Sequence, residues 1–257
     1  MFERYSQKLS ARSSAVLLAL DNRLDRIVQT WLLIAGLASA ARIAVSPHDV
    51  PADATSVALP YLLLVLAPAA STLAALRWFS EGDRQPQPLT RLAQFGGWRT
   101  MDRSEAKQHP LYGTSGIMVS LLIGMMLNVP VRALEYLVAI PPLPEGAASW
   151  FATLHFAMTF DVVLFGSLYM IAFVAALRRV PLFPRLLVAI WVADLAMQLV
   201  TASLVTNVGG LPPAVADALH SMLSGNVKKT LISMALWLPY LLLSTRVNVT
   251  YRHRIPA

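Results

Sequence analysis

The sequence predicts an all-α polytopic membrane protein: six transmembrane helices behind an N-terminal amphipathic helix, with both termini cytoplasmic. Three observations predict it. Of 257 residues 56% are hydrophobic and only 14% charged, against about 25% charged in soluble domains, and mean hydropathy is +0.56. The apolar residues come in six blocks, each long enough to cross a hydrocarbon core of about 30 Å. The charges recur between those blocks rather than along one face. The net charge of +7 is therefore a topology signal and not the footprint of a nucleic-acid binder.

Residues 1–27 carry Leu9, Val16, Leu17, Leu20, Leu24 and Ile27 with Arg12, Arg23 and Arg26 interleaved, a spacing that gives a helix one greasy face. Such a helix lies in the headgroup plane or extends the first span and packs on its neighbours. Its apolar run 15–20 is too short, and too soon followed by Asp21 and Arg23, for the core of a cleaved signal peptide. Six spans follow, at 28–46, 57–76, 115–139, 150–177, 185–208 and 228–246. Pro47 and Pro51 bound the first turn, while Pro60, Pro68, Pro130 and Pro239 fall inside spans, where neighbours can satisfy the freed carbonyls and a kink is expected. The polar stretch 77–114, rich in Arg, Gln, Pro and Gly, separates a two-helix front part (28–76) from a four-helix back part (115–257).

Basic residues set the orientation. With both ends cytoplasmic, the N-terminus supplies Arg4, Lys8, Arg12, Arg23 and Arg26, and the 77–114 loop supplies Arg77, Arg84, Arg91, Arg99, Arg103 and Lys107. The turn after the fourth span adds Arg178, Arg179 and Arg185, and the tail adds Arg246, Arg252 and Arg254. Of 21 Lys and Arg, only Arg42, Arg132, Lys228 and Lys229 remain, all at or inside outer helix ends. The outer loops carry only acids: Asp49, Asp53, Glu145 and Asp217.

The back half carries ordered short motifs. The last span and tail read Leu231-Ile232-Ser233, Leu236-Trp237-Leu238-Pro239-Tyr240, Ser244-Thr245-Arg246-Val247 and Thr250-Tyr251, and the middle turn reads Arg178-Arg179-Val180-Pro181-Leu182-Phe183-Pro184-Arg185. Over roughly residues 110–252 this resembles the bacterial inner-membrane family catalogued as domain of unknown function 2569. The resemblance implies a multi-pass protein of the bacterial cytoplasmic membrane with a four-helix back part, and it transfers no catalytic residue. Gly96-Gly97-Trp98 departs from the family pattern in leading to Arg99 and a polar stretch, and the first 80 residues have no counterpart in its short members.

Ionisable residues inside spans are the functional suspects, since each costs at least about 2.5–3.5 kcal/mol at the bilayer centre unless paired or wetted. Asp161 and Asp194 lie near mid-membrane. Gln198 follows Asp194 by one turn and Thr201 roughly another, making a polar stripe; His155 lies on roughly the opposite side of its helix from Asp161. The pair is expected either to handle a proton or cation or to act as packing glue between helices.

A second set gathers at outer helix ends. Arg132 and Glu135 are three apart, Asn128 is one turn below Arg132, and Arg42, Lys228 and Lys229 sit at similar depth. They are expected to line an outward-open site for an anionic headgroup, carboxylate or phosphate, or else to anchor the helices, with Arg132 paired to Glu135 and the lysines snorkelling to lipid phosphates.

The chain has no Cys, hence no disulfide, thiolate nucleophile or Cys-ligated metal. Signatures such as His-Glu-x-x-His, Gly-x-Ser-x-Gly and the phosphate-binding glycine loop are missing. Of five histidines, His48, His109, His220 and His253 fall in loops or tails, so neither a metal site nor a cofactor is expected. Three functional expectations follow, in descending order: a non-enzymatic accessory subunit or assembly partner of a larger membrane complex; a small transporter or lipid- and anion-handling protein; and a membrane enzyme acting on lipid-linked substrates with Asp161 or Asp194 as general base. The expected partners are membrane lipids and either a larger complex or a second copy of the chain.

Overall fold

The computed structural model describes residues 13, 15–46, 54–89 and 96–257; Leu9 and the rest of 1–12 lie outside them. Residues 15–22 (α1) are helical and lead through a turn at Arg23 into α2, Leu24–Val45. The long helices that follow are α3 (Ala54–Trp78), α5 (Met118–Ala139), α6 (Ser149–Leu177), α7 (Phe183–Asn207) and α8 (Pro213–Leu243), with the short α4 (Arg103–Gln108) before α5 and α9 (Thr245–Arg252) after α8. Among the described residues, five helices are long and apolar enough to cross a membrane, or six if α8 and α9, bent by 69° at Ser244, count as one broken span. This is the make-up of a multi-pass membrane protein.

Helix α6 is the hub. Its most apolar stretch is 67% buried, against 17% for α2 at the edge, because a helix that is apolar all round can be covered on every side. It packs against α3, α5 and α7, while α8 packs on α7. At Gly166 a Cβ would stand 3.3 Å from the Pro68 ring, so the missing side chain is what lets α3 lie close, as small residues do in membrane helix pairs. Pro60 and Pro68 in α3, Pro130 in α5 and Pro239 in α8 all lie within helices. Around Pro68 the polar groups are engaged: Thr72 Oγ1 donates to the Pro68 carbonyl at 2.7 Å and Trp31 Nε1 to that of Val65 at 2.9 Å.

One sequence expectation is corrected. The last long helix begins at Pro213, not near 228, so Asp217 and His220 lie on a helix and not in a loop. Pro212 and Pro213 start it, since a missing N–H is no loss in a first turn, and Leu219 and Leu223 are buried against Leu154, Met158 and Val205. That packing outweighs the polar residues that depress the segment's hydropathy. The basic tail is folded inward: Arg252 and Arg254 are buried.

The tail docks on the 77–114 segment. Trp98–Thr100 (β1) pairs antiparallel with Arg254–Pro256 (β2), Arg99 opposite Ile255. Asn248 is the hub of α9: its Nδ2 donates to the Leu242 and Ser244 carbonyls at 3.0 Å each. Its Oδ1 accepts from Arg252 Nη1 at 3.0 Å and Arg254 Nε at 2.7 Å. Tyr251 reaches down to the end of α6, its hydroxyl donating to the Ala176 carbonyl at 2.9 Å.

The same end of the bundle collects the other connections. α6 closes with Val180 N donating to Ala175 O at 2.9 Å and Arg179 N to Ala176 O at 3.1 Å, a Schellman motif whose left-handed residue is Arg179 (φ 57°). Asp21 on α1 pairs with Arg178 at 3.4 Å. Asp83, in the 3-10 turn Gly82–Arg84, pairs with Lys107 at 2.5 Å and Arg103 at 3.6 Å on α4.

Candidate functional site

The polar centre of the bundle is built by one residue from each of three helices. Arg132 of α5 donates through Nη1 to Asp161 Oδ2 of α6 at 2.6 Å and through Nη2 to Asp194 Oδ2 of α7 at 2.7 Å. Both ends of the planar guanidinium fork are thus engaged, a geometry that a lysine could not reproduce. Phe165, one turn beyond Asp161, lies with its ring centre 5.0 Å from the guanidinium carbon and contributes a cation–π contact.

Gln198 ties the acids together. Its Nε2 lies 3.3 Å from Asp161 Oδ1 and 3.2 Å from Asp194 Oδ1, and its Oε1 accepts from Asn226 Nδ2 of α8 at 3.4 Å. Asp194 holds two further donors, Tyr169 Oη at 3.5 Å and Thr230 Oγ1 at 3.4 Å. Side-chain exposure falls from 14% at Arg132 through 7% at Asp161 to 1% at Asp194. With both acids ionised, the cluster carries one positive and two negative charges.

A cleft of about 540 Å³ opens beside the cluster between α5 and α8, which pack on α6 and α7 and leave a gap between themselves. Arg132, Asp161, Tyr169, Asn226 and Thr230 form its polar wall, and Met158 and Val162 belong to its apolar one. Asp194 lies behind Arg132 and does not reach the cleft. At the mouth, Lys229 Nζ donates to Glu135 Oε1, spanning the gap. Val131, Leu134 and Val138 on the α5 side are exposed, so the rim is apolar.

The residues picked from sequence are thereby redistributed. Asp161, Asp194 and Gln198 meet, and Arg132, expected in a separate outer set, joins them. Glu135 pairs with Lys229 and not with Arg132 three residues away. Asn128 lines the cleft, and its Oδ1 is buried without a hydrogen-bond partner among the described residues. Lys228 is exposed and, like Arg42 on α2, lies outside the cleft. His155 is buried away from the acids between Tyr136 and Phe151, with ring centres 6.4 and 6.2 Å away. Tyr169, Asn226 and Thr230 escaped sequence reasoning. Their signals were there: Tyr169 follows Asp161 by eight residues, hence on the same helix face, and Asn226 and Thr230 are one turn apart.

Comparison with protein-family models, with curated proteins and with solved structures finds no match. The functional reading therefore rests on the geometry of the site.

Proposed function

We propose that this protein is a small transporter or lipid- and anion-handling protein of a bacterial cytoplasmic membrane, with Arg132 as the group that recognises the anion. The observation that carries this reading is the convergence of two carboxylates from different helices on one guanidinium in the wall of an open cleft. Such a fork is matched to the paired oxygens of a carboxylate or phosphate. A cluster built only as glue has no need of a cleft beside it. Both termini are assigned to the cytoplasm, because the basic N-terminal arm, 77–114 loop, α6–α7 turn and tail would then lie inside. The amphipathic helix α1 is assigned to that side too, where Asp21 pairs with Arg178. Membership of the uncharacterised family resembled in the back half is part of the proposal, since its motif residues Ser244, Arg246 and Tyr251 build the α8–α9 bend and the tail dock.

Calorimetric titration of the protein in phosphatidylcholine nanodiscs tests the reading, with sulfate as a free oxyanion and dihexanoyl phosphatidylglycerol as a lipid-borne one. Hydrogen bonds to charged groups contribute about 1.5–3 kcal/mol, and each 1.4 kcal/mol is about tenfold. Arg132→Gln, compared at equal amounts of monodisperse protein, should therefore weaken binding about tenfold or more. Wild type that binds neither probe would overturn the proposal.

A second reading is favoured by α2. Its most apolar stretch is only 17% buried, and Leu33, Ile34 and Leu37 face outward, a surface suited to a helix of a larger complex or of a second copy. A stoichiometric partner retained through purification in mild detergent would support that accessory role. A free monomer that binds an anion would oppose it.

A further inference from the structure

Building on the anion-handling reading, we infer that Asp161 takes up a proton as Arg132 takes up an oxyanion, so that anion and proton bind together. The two acids are not equivalent. Asp194 sits behind the guanidinium, away from the cleft, and receives Arg132, Tyr169, Gln198 and Thr230. Asp161 faces the cleft and, among the described residues, receives only Arg132 and Gln198. Asp194 is the fixed counter-ion of the arginine, and Asp161 is the exchangeable one.

Charge balance supplies the coupling. The cluster holds one cation and two carboxylates, and among the described residues the only other charges lining the cleft, Glu135 of α5 and Lys229 of α8, already offset each other at the mouth. Among the described residues, the other titratable groups lining the cleft are the phenols Tyr136 on α5, backed by Tyr61 on α3, and Tyr169 on α6; Asn226 and Thr230 on α8, and Gln198 of α7 behind them, carry no charge. His155 faces Tyr136 and Phe151 instead. An anion that takes the Nη1 side of Arg132 leaves the Asp161 carboxylate beside a negative ligand with its cation withdrawn. A buried charge in that position is strongly disfavoured.

A proton from cleft water relieves this. The carboxylate becomes a carboxylic acid, no other bond changes, and the new O–H can donate to the ligand. Asp161 is thereby converted from a competitor for Arg132 into a second donor to the anion. When the anion leaves, the proton returns to water and Arg132 closes on the carboxylate again.

The test uses sulfate and dihexanoyl phosphatidylglycerol, whose charges stay fixed between about pH 5.5 and 8.5, on full-length protein in phosphatidylcholine nanodiscs. Titrations in two buffers of different ionisation enthalpy count protons taken up per anion bound. The expected result is about one proton per anion towards the alkaline end, where affinity should fall about tenfold per pH unit. Asp161→Asn, which imitates the protonated acid, should bind at every pH as tightly as wild type does at its most acidic, with no proton uptake. Whichever probe binds identifies the source of the anion, free or lipid-borne.

Wild type that binds an anion with no proton uptake would overturn the coupling and leave the anion-handling reading standing, as would an Asp161→Asn variant that keeps the pH slope. Wild type that binds neither probe would remove both. The proton count on wild type needs no variant, so the inference is decided even if Asp161→Asn fails to fold.

Discussion

Arg132 and Asp194 are 62 residues apart in the chain and 2.7 Å apart in space. That ion pair, with Asp161 on the other side of the fork, sets a stability test of its own. Removing the arginine alone leaves two buried carboxylates facing each other, and breaking a buried pair from one side typically costs about 3–5 kcal/mol. Arg132→Gln should therefore lower the yield and melting temperature of detergent-solubilised protein. The neutral triple variant Arg132→Gln, Asp161→Asn, Asp194→Asn should recover most of the loss, since amides can hydrogen-bond where the charges did. A triple variant that melts no higher than the single one would show that charge is not what holds the three helices together.

The polar stripe Asp194–Gln198 was legible in the sequence because one helical turn separates its members, and the long spans were legible from their hydropathy. The meeting of Arg132 with both acids was not. It depends on how α5, α6 and α7 are rotated about their axes, which packing at sites such as Gly166 and Pro68 decides and no periodicity encodes. The start of α8 was hidden because Asp217, His220 and Asn226 dilute the apolar signal, although Leu219 and Leu223 bury the segment. The tail dock was hidden for another reason: β1 and β2 are three residues each, too short for any alternation to show.

Acid should loosen the dock between the 77–114 segment and the tail in two stages. Burial is the main cause that holds His253 below its ordinary value, with Arg103 adding to it. The unfolded chain then binds a proton before the folded one, and stability should begin to fall below about pH 6.5. Asp83 is also held low, chiefly by the hydrogen bond from Lys107. Its contribution is complete above about pH 4 and lost below that, where the carboxylate protonates. Hydrogen exchange at residues 96–108 and 245–257 should speed up first in the upper window and again in the lower one. His253→Gln should erase the first stage alone, and an upper-window change that survives this substitution would count against His253.

Asn248 satisfies two carbonyls and two arginines from one buried amide. Asn248→Ala removes four side-chain hydrogen bonds at once, although the Ser244 carbonyl keeps the Asn248 N–H and the Leu242 carbonyl keeps Arg252 Nη1; each lost bond contributes about 0.5–1.5 kcal/mol, more where a guanidinium is the donor. The expected consequence is release of the tail without loss of the spans: residues 244–257 should become sensitive to added trypsin at Arg252 and Arg254 while the melting of the helical bundle changes less. Asn248→Asp, which keeps the acceptor that faces Arg252 and Arg254, should be the milder change. Equal resistance of Asn248→Ala and wild type to trypsin would remove Asn248 from its place as hub.

Gly82 touches the end of α6 so closely that a Cβ there would lie 2.7 Å from both the Arg178 carbonyl oxygen and Val180 Cγ2. Neither neighbour is free to yield. Arg178 and Val180 belong to the Schellman turn, where Val180 N bonds to Ala175 O, so moving the carbonyl would disturb the close of the most buried helix. Gly82→Ala should destabilise by about 1–3 kcal/mol, the usual range for an overpacked contact, and should weaken the Asp83 links to Arg103 and Lys107 one residue on. Gly124→Ala is the matched control: it lies within α5, where a Cβ meets nothing within 4 Å, and alanine is favoured over glycine in a helix by about 0.5–1 kcal/mol. Thermal unfolding in one detergent should rank Gly82→Ala below wild type and Gly124→Ala at or above it. The reverse order would mean that the 3-10 turn does not rest on α6.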